Sequence, residues 1–260
     1  MKRSPPFTIT LALACVSLSA ALPVNAQQEK AGGRLTACVD ADNPPFSNAG
    51  AGIDAEIAKS IAASMQRELT ISAVPVPSRG GLGKALKQTI QAGKCDFFVG
   101  IPEEEDLAHD LAERRLVASR TYLSVGYLLV RARSNTGKVA NNARFGAVTA
   151  TPADLYLLKE KANRVPYGNN KDLIEAVRSG DVQRALVWSP AIARQFKTVS
   201  ESPLSVEAKQ PTDPILRTEL KIITRAADKA LGEAINQAIT DLISGGRISA
   251  IAEAHGLPLI

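Results

Sequence analysis

Two stretches of this chain follow one plan. IQAGKCDFFVGIP (90–102) and VRSGDVQRALVWSP (177–190) each run from a helix end through a glycine and a short polar link into an apolar strand closed by proline, the second with one extra residue. A chain that builds the same unit twice is confined to two similar halves, and the remaining pattern says what each contains. RLTACVD (34–40), LTISAVPV (69–76), CDFFVG (95–100), RFGAV (144–148) and RALVW (184–188) read as strands. IDAEIAKSIAASM (53–65) puts Ile53, Ile57, Ile61 and Met65 on one helical face. LGKALKQTIQ (82–91) is a helix stopped by Gly93, and further helices are predicted over 153–163, 171–179, 228–244 and 248–254. This alternation predicts an α/β protein whose sheet is mainly parallel and covered on both faces. The longer strands TYLSVGYLLVRA (121–132) and LKIITR (220–225) fall at the joints between the halves. The chain then crosses to a second lobe and returns, with lobe 1 from 27–128 and 226–260 and lobe 2 from 129–225. Gly100-Ile101-Pro102 and Trp188-Ser189-Pro190 come to face each other at strand carboxyl ends, where open α/β sheets bind ligands. Trp188, the only tryptophan, is either a cleft wall or core packing.

The first 26 residues stand apart from this plan. Lys2 and Arg3 precede a mostly apolar stretch from Phe7 to Leu22, and Val24-Asn25-Ala26 offers small residues for cleavage, so 1–26 reads as a secretory signal peptide. The stretch contains threonines and serines and falls short of the roughly 20 apolar residues of a span, which disfavours a membrane anchor. Leu13-Ala14-Cys15 follows Ala12 where a lipoprotein site usually carries leucine. The expected location is the periplasm, with no membrane span in the mature chain. Loss of Lys2 and Arg3 leaves 29 basic residues of the original 31 against 26 acidic ones, a formal +3. So mild a charge, alternating in sign along the chain, argues against nucleic acid as a partner.

Known catalytic patterns are missing. Ser78 and Ala85 break the phosphate loop that Gly83-Lys84 suggests, and there is no GxSxG, HExxH or CxxC. His109 and His255 stand in charged or terminal helices without a nearby second ligand, and Asp40-Ala41-Asp42-Asn43 fails as a calcium loop at Pro44. The chain is therefore expected to be neither an enzyme nor a resident-metal protein. Cys38 and Cys95 remain after processing, and an even pair in an exported chain favours a disulfide. Two buried thiols are the alternative, because Cys38 lies late in its predicted strand and Cys95 early, against a Cα separation limit of roughly 7 Å.

ACVDADNPPFSN, SRGGLGKALKQTIQAGKCDFFVGIP, ALVWSPAIA and the terminal GLPLI resemble the family-3 solute-binding proteins, over roughly 34–260 apart from 103–118. Within them the chain is similar to the branch associated with quinoprotein dehydrogenases, the MoxJ/XoxJ type. The resemblance implies a type II periplasmic binding protein fold, two doubly wound lobes joined by two crossing strands. It also implies help in assembling methanol dehydrogenase or inserting its pyrroloquinoline quinone (PQQ), with the dehydrogenase or its subunits as partner and PQQ as a transient rather than permanent ligand. A receptor delivering a small molecule to an ABC importer is the competing reading, since the fold alone does not fix function.

The departures from amino-acid binders shape the expected site. Those relatives carry an acid at the Trp188 position for the ligand ammonium, and a Ser/Thr run with an arginine after the CDFFV-like strand for its carboxylate. Here the run is Gly100-Ile101-Pro102-Glu103-Glu104-Glu105-Asp106, and Arg114 and Arg115 lie too far along to match. Desolvating either ligand charge unpaired costs several kcal/mol or more, so the amino-acid site reads as lost. The acid run reads as the solvated first turn of a helix, with a weak cation site left open. Asp40, Asn43, Phe46 and Ser47 follow the first strand, where the wider family places an aromatic on the ligand; hinge packing is the plain alternative for Phe46. Arg79 either holds an anion or is a solvated loop charge. Thr151 is an N-cap before Pro152, a helix start whose free amides suit an anion or are simply capped. Thr149, Gly100, Pro102, Trp188 and Ser189 complete the candidate cleft.

Overall fold

The computed structural model describes Met1 and residues 33–77, 81–137, 140 and 142–260. In chain order its elements are β1 (Leu35–Asp40), β2 (Asp42–Asn43), β3 (Ser47–Asn48), α1 (Ile53–Ser64), β4 (Leu69–Val74), α2 (Gly81–Gln88), β5 (Phe97–Pro102), α3 (Leu107–Glu113), β6 (Leu116–Ala118) and β7 (Leu123–Ala132). Then come β8 (Phe145–Val148), α4 (Pro152–Lys159), β9 (Arg164–Tyr167), α5 (Asn170–Ser179), β10 (Arg184–Trp188), α6 (Ser189–Gln195), β11 (Leu204–Val206), β12 (Arg217–Arg225), α7 (Lys229–Ser244) and α8 (Arg247–Ala254). The sheet runs β4-β1-β5-β12-β7-β10-β8-β9, with β11 beside β7 and β6 beside β12. This is a mixed α/β, two-lobed fold.

The apolar runs form the strands because both faces of the sheet are covered. Leu35, Ala37 and Val39 of β1 point into a core with Ile53, Ile57 and Ile61 of α1, while Cys38 points to the opposite core with Leu86 and Ile90. In β5 the alternation changes phase: Phe97 and Val99 face the first core, but Phe98 and Ile101 both face the second. Gly100 lies between them with φ +89°, and the pairing with β12 shifts register between Lys221 and Ile223. A bulge of this kind requires a residue tolerant of positive φ. In the other half, Asn169 caps α5 and Gly180 ends it at φ +85°, leaving Leu173, Ile174, Ala176 and Val177 against the strands.

β7 and β12 hold the halves together. Leu123–Gly126 pairs antiparallel with Arg217–Leu220, whereas further along β7 pairs with β10 and further along β12 pairs with β5. β5 ends where Pro102 meets Leu220, and β10 ends where Trp188 meets Tyr127. The two carboxyl ends thus abut opposite ends of one four-residue ladder, about 13 Å of strand.

The structure departs from sequence expectation in several places. The crossing strands make antiparallel pairs, so the sheet is mixed. β5 begins two residues later than expected, at Phe97. The helix expected over 153–163 ends at Lys159 and gives way to β9, whose Pro166 is tolerated because β9 is the edge strand. α3 and α6, both short, lack a long apolar period to announce them. Residues after 226 pack mainly on the first core through α7, α8 and Leu257, yet the terminal Ile260 reaches the core of the second half.

Candidate functional site

Four of the expected site residues meet in one cavity. Asp40, Asn43, Gly100 and Pro102 line a space of about 480 Å³ at the carboxyl ends of β1 and β5. Its walls are apolar: Val76, Leu82, Leu86, Phe98, Leu107 and Leu111 come from the end of β4, α2, β5 and α3. The volume is that of an ordinary small-molecule site. Among the described residues its other charged groups are Glu104, Asp106, Asp110 and Arg114.

Arg114 is a correction. Counted along the chain it is too distant, but α3 folds it back to the cavity, where its guanidinium lies against Gly83; a Cβ there would stand 2.8 Å from its Nη2. The signal was present in the spacing. Asp106, Asp110 and Arg114 recur every four residues and share a helical side with Leu107 and Leu111. The acid run does lie at the start of a helix, though Glu103 is diverted to Lys221, 2.5 Å away.

Other expected residues serve the fold instead. Phe46 is only 7 % exposed and belongs to the first core, so it packs rather than presenting its face to a ligand. Ser47 is fully buried, its hydroxyl donating to the Asp40 carbonyl in the small β2–β3 hairpin. Ser189 is also buried and accepts from the Gly126 amide at 3.3 Å. Arg79 lies outside the described residues.

At the second half, Thr151 caps α4 by accepting from the Asp154 amide at 3.3 Å, as its sequence suggests. The anion reading fails there, because Asp154 itself supplies the negative charge. Its carboxylate accepts from the Ala150 amide at 3.0 Å and pairs with Arg164. Thr149 is exposed and donates its hydroxyl to the Tyr167 carbonyl at 3.2 Å. Trp188 is half-buried, with its ring centroid 5.0 Å from that of Tyr127, and it packs against the core containing Phe46 and Val125. α6 begins directly after it, and Arg194 of that helix donates to the Pro44 carbonyl in the loop after β1. Packing is therefore part of what places a tryptophan at this strand end.

Beneath the cavity floor is a buried acid that sequence reasoning missed. Asp54, 1 % exposed in the first turn of α1, accepts a 2.7 Å hydrogen bond from the Tyr122 hydroxyl. Its other oxygen lies against Gly100, where a Cβ would approach within 2.3 Å. Burial raises the Asp54 carboxyl to about 6, against the lowering effect of Tyr122 and with help from the Asp40 charge. Burial likewise pushes the Tyr122 hydroxyl well up. No sequence pattern marks this acid beyond its place in an otherwise apolar face. Cys38 and Cys95 are joined in the structure, with Cα atoms 5.8 Å apart.

Comparison with known proteins agrees with this architecture. The second substrate-binding domain of a putative amino acid ABC transporter from Streptococcus pneumoniae is similar at TM-score 0.66 and 17% identity, over 85% of this chain and 99% of that one. Substrate-binding domain 2 of Lactococcus lactis GlnP, in an open conformation, gives TM-score 0.66 and 16% identity, over 85% and 94%. MxaJ from Methlophaga aminisulfidivorans gives TM-score 0.57 and 20% identity, over 87% and 100%. At these identities the likeness concerns the fold. No curated protein matches the chain in sequence. The profile of the bacterial extracellular solute-binding proteins, family 3, matches residues 35–257, and with a two-lobed sheet and a cavity at its strand ends the chain belongs to that family.

Proposed function

We propose that the chain is a periplasmic accessory protein that assists assembly or activation of a PQQ-dependent methanol dehydrogenase. The observation that carries this reading is the charge at the binding-protein site. The position that holds an ammonium partner in amino-acid receptors is Trp188, engaged in packing, and among the described residues the carboxylate end is lined by Asp40, Glu104, Asp106 and Asp110 against Arg114. The sequence resemblance to dehydrogenase-associated relatives and the MxaJ fold likeness support the same reading. The described residues of the cavity do not suit PQQ, whose carboxylates would meet this acidic rim, so the role is assigned to protein contact rather than to cofactor carriage. The signal-like pattern of residues 1–26 supports a periplasmic compartment.

Deletion of the gene should leave dehydrogenase polypeptide in the periplasm with little activity during growth on methanol. Normal activity in the deletion strain rejects the role. An importer receptor is the second reading, favoured by the small-molecule volume of the cavity. In a calorimetric panel, free amino acids should bind no tighter than about millimolar, under roughly 4 kcal/mol. A micromolar amino acid would make the receptor reading the better one.

A further inference from the structure

We propose that the cavity between α2 and α3 takes a small organic cation on an aliphatic stem, an alkylamine that carries no carboxylate. This goes beyond the dehydrogenase role and does not depend on it. The ligand class follows from the two kinds of surface that meet there. The walls, Leu82, Leu86, Phe98, Leu107 and Leu111, offer an alkyl chain removal from water. Among the described residues, Asp40, Glu104, Asp106 and Asp110 supply four carboxylates against the guanidinium of Arg114.

Among the described residues, Glu104, Asp106 and Asp110 enter no ion pair within 4.0 Å; even Asp110 and Arg114, one helical turn apart, are not paired. An excess of like charge around a concave apolar surface concentrates cations there. Among the described residues, no three His, Cys, Asp or Glu side chains are grouped to hold a metal ion. Carboxylates spread around a rim, rather than converging on one point, suit an ammonium at the end of a stem. A ligand carboxylate would add to the repulsion that the acids already exert.

Calorimetric titration of the purified protein at low salt with pentylamine, 6-aminohexanoate and pentan-1-ol tests this. Pentylamine and 6-aminohexanoate share an ammonium on a five-carbon stem, and only 6-aminohexanoate carries a carboxylate; pentan-1-ol keeps the stem without charge. Pentylamine should bind with a Kd of about a millimolar or tighter, and both other probes at least about five-fold more weakly. Added salt should weaken the amine. An Asp106→Asn, Asp110→Asn double variant changes two exposed acids and should weaken pentylamine about five-fold. Glu113→Gln, an exposed change on the same helix outside the cavity, should alter it less than about two-fold. 6-Aminohexanoate or pentan-1-ol binding as tightly as pentylamine overturns the proposal. So does an unaffected double variant, or no pentylamine binding up to about 20 mM. A failed deletion phenotype bears on the dehydrogenase role alone.

Discussion

Removing the Cys38–Cys95 bridge should cost the protein about 4 kcal/mol. The bond closes a loop of 57 residues, and the chain-entropy model assigns that stabilisation to a loop of such length. The bridge ties β1 to the start of its neighbour β5 over one core: Cys38 is 0 % exposed in β1, and Cys95 is 2 % exposed just before β5. What brings them together is the late start of β5. The amide of Asp96 donates to the Thr36 carbonyl at 2.8 Å, while the Thr36 amide donates to the Asp96 carboxylate at 2.8 Å, turning the link across β1. Arg225 donates to the Cys95 carbonyl at 2.8 Å and fixes the same corner. A Cys38→Ala, Cys95→Ala double variant, which buries no new hydroxyl, should melt roughly 8–16 °C below wild type. Dithiothreitol should lower wild-type melting similarly and leave the variant unmoved. Two free thiols in denatured, unreduced periplasmic protein, or a variant melting within about 2 °C of wild type, would contradict the expectation.

That corner also shows where sequence reading reaches its limit. The doubled unit and the apolar strands were legible because buried strands need a run of apolar residues, and RLTACVD, CDFFVG and RALVW are each built around one. The i, i+4 isoleucines of α1 disclosed its buried face for the same reason. Two residues of register decide whether Cys95 can reach Cys38, and register at a strand start depends on tertiary hydrogen bonds such as those of Asp96 and Arg225. The site was legible in part. Strand carboxyl ends located Asp40, Asn43, Gly100 and Pro102, since topology alone places them. Phe46 and Ser47 share that loop but turn inward, a choice made by the hairpin and the core beneath it. Arg114 was discarded by linear distance, although four-residue spacing from Asp106 and Asp110 carried the information.

Asp54 should make the protein less stable as pH rises from about 4 to 7, and Asp54→Asn should remove that loss. Its carboxyl is raised by burial from 3.8 to about 6 in the folded protein, while in the unfolded chain it keeps the ordinary value. A group that binds its proton more tightly when folded stabilises fully below the unfolded value, and the contribution is lost as pH rises through the folded one. A difference of about two units corresponds to roughly 3 kcal/mol. Tyr122 moderates the effect, since its hydroxyl donates to the carboxylate at 2.7 Å, whereas the Asp40 charge adds to it. Asparagine keeps an acceptor for Tyr122 and a similar shape against Gly100, so the substitution removes the titration with little change in packing. Other carboxylates also titrate in this range, so the informative quantity is the stability of Asp54→Asn minus that of wild type. Denaturant unfolding at pH 4, 5, 6 and 7.5 should show this difference growing by roughly 2–3 kcal/mol in favour of the variant. A constant offset from an imperfect amide fit shifts every pH alike and leaves the slope intact. A difference that stays flat would mean that burial beneath Gly100 does not make this acid hold its proton more tightly in the folded protein than in the unfolded chain.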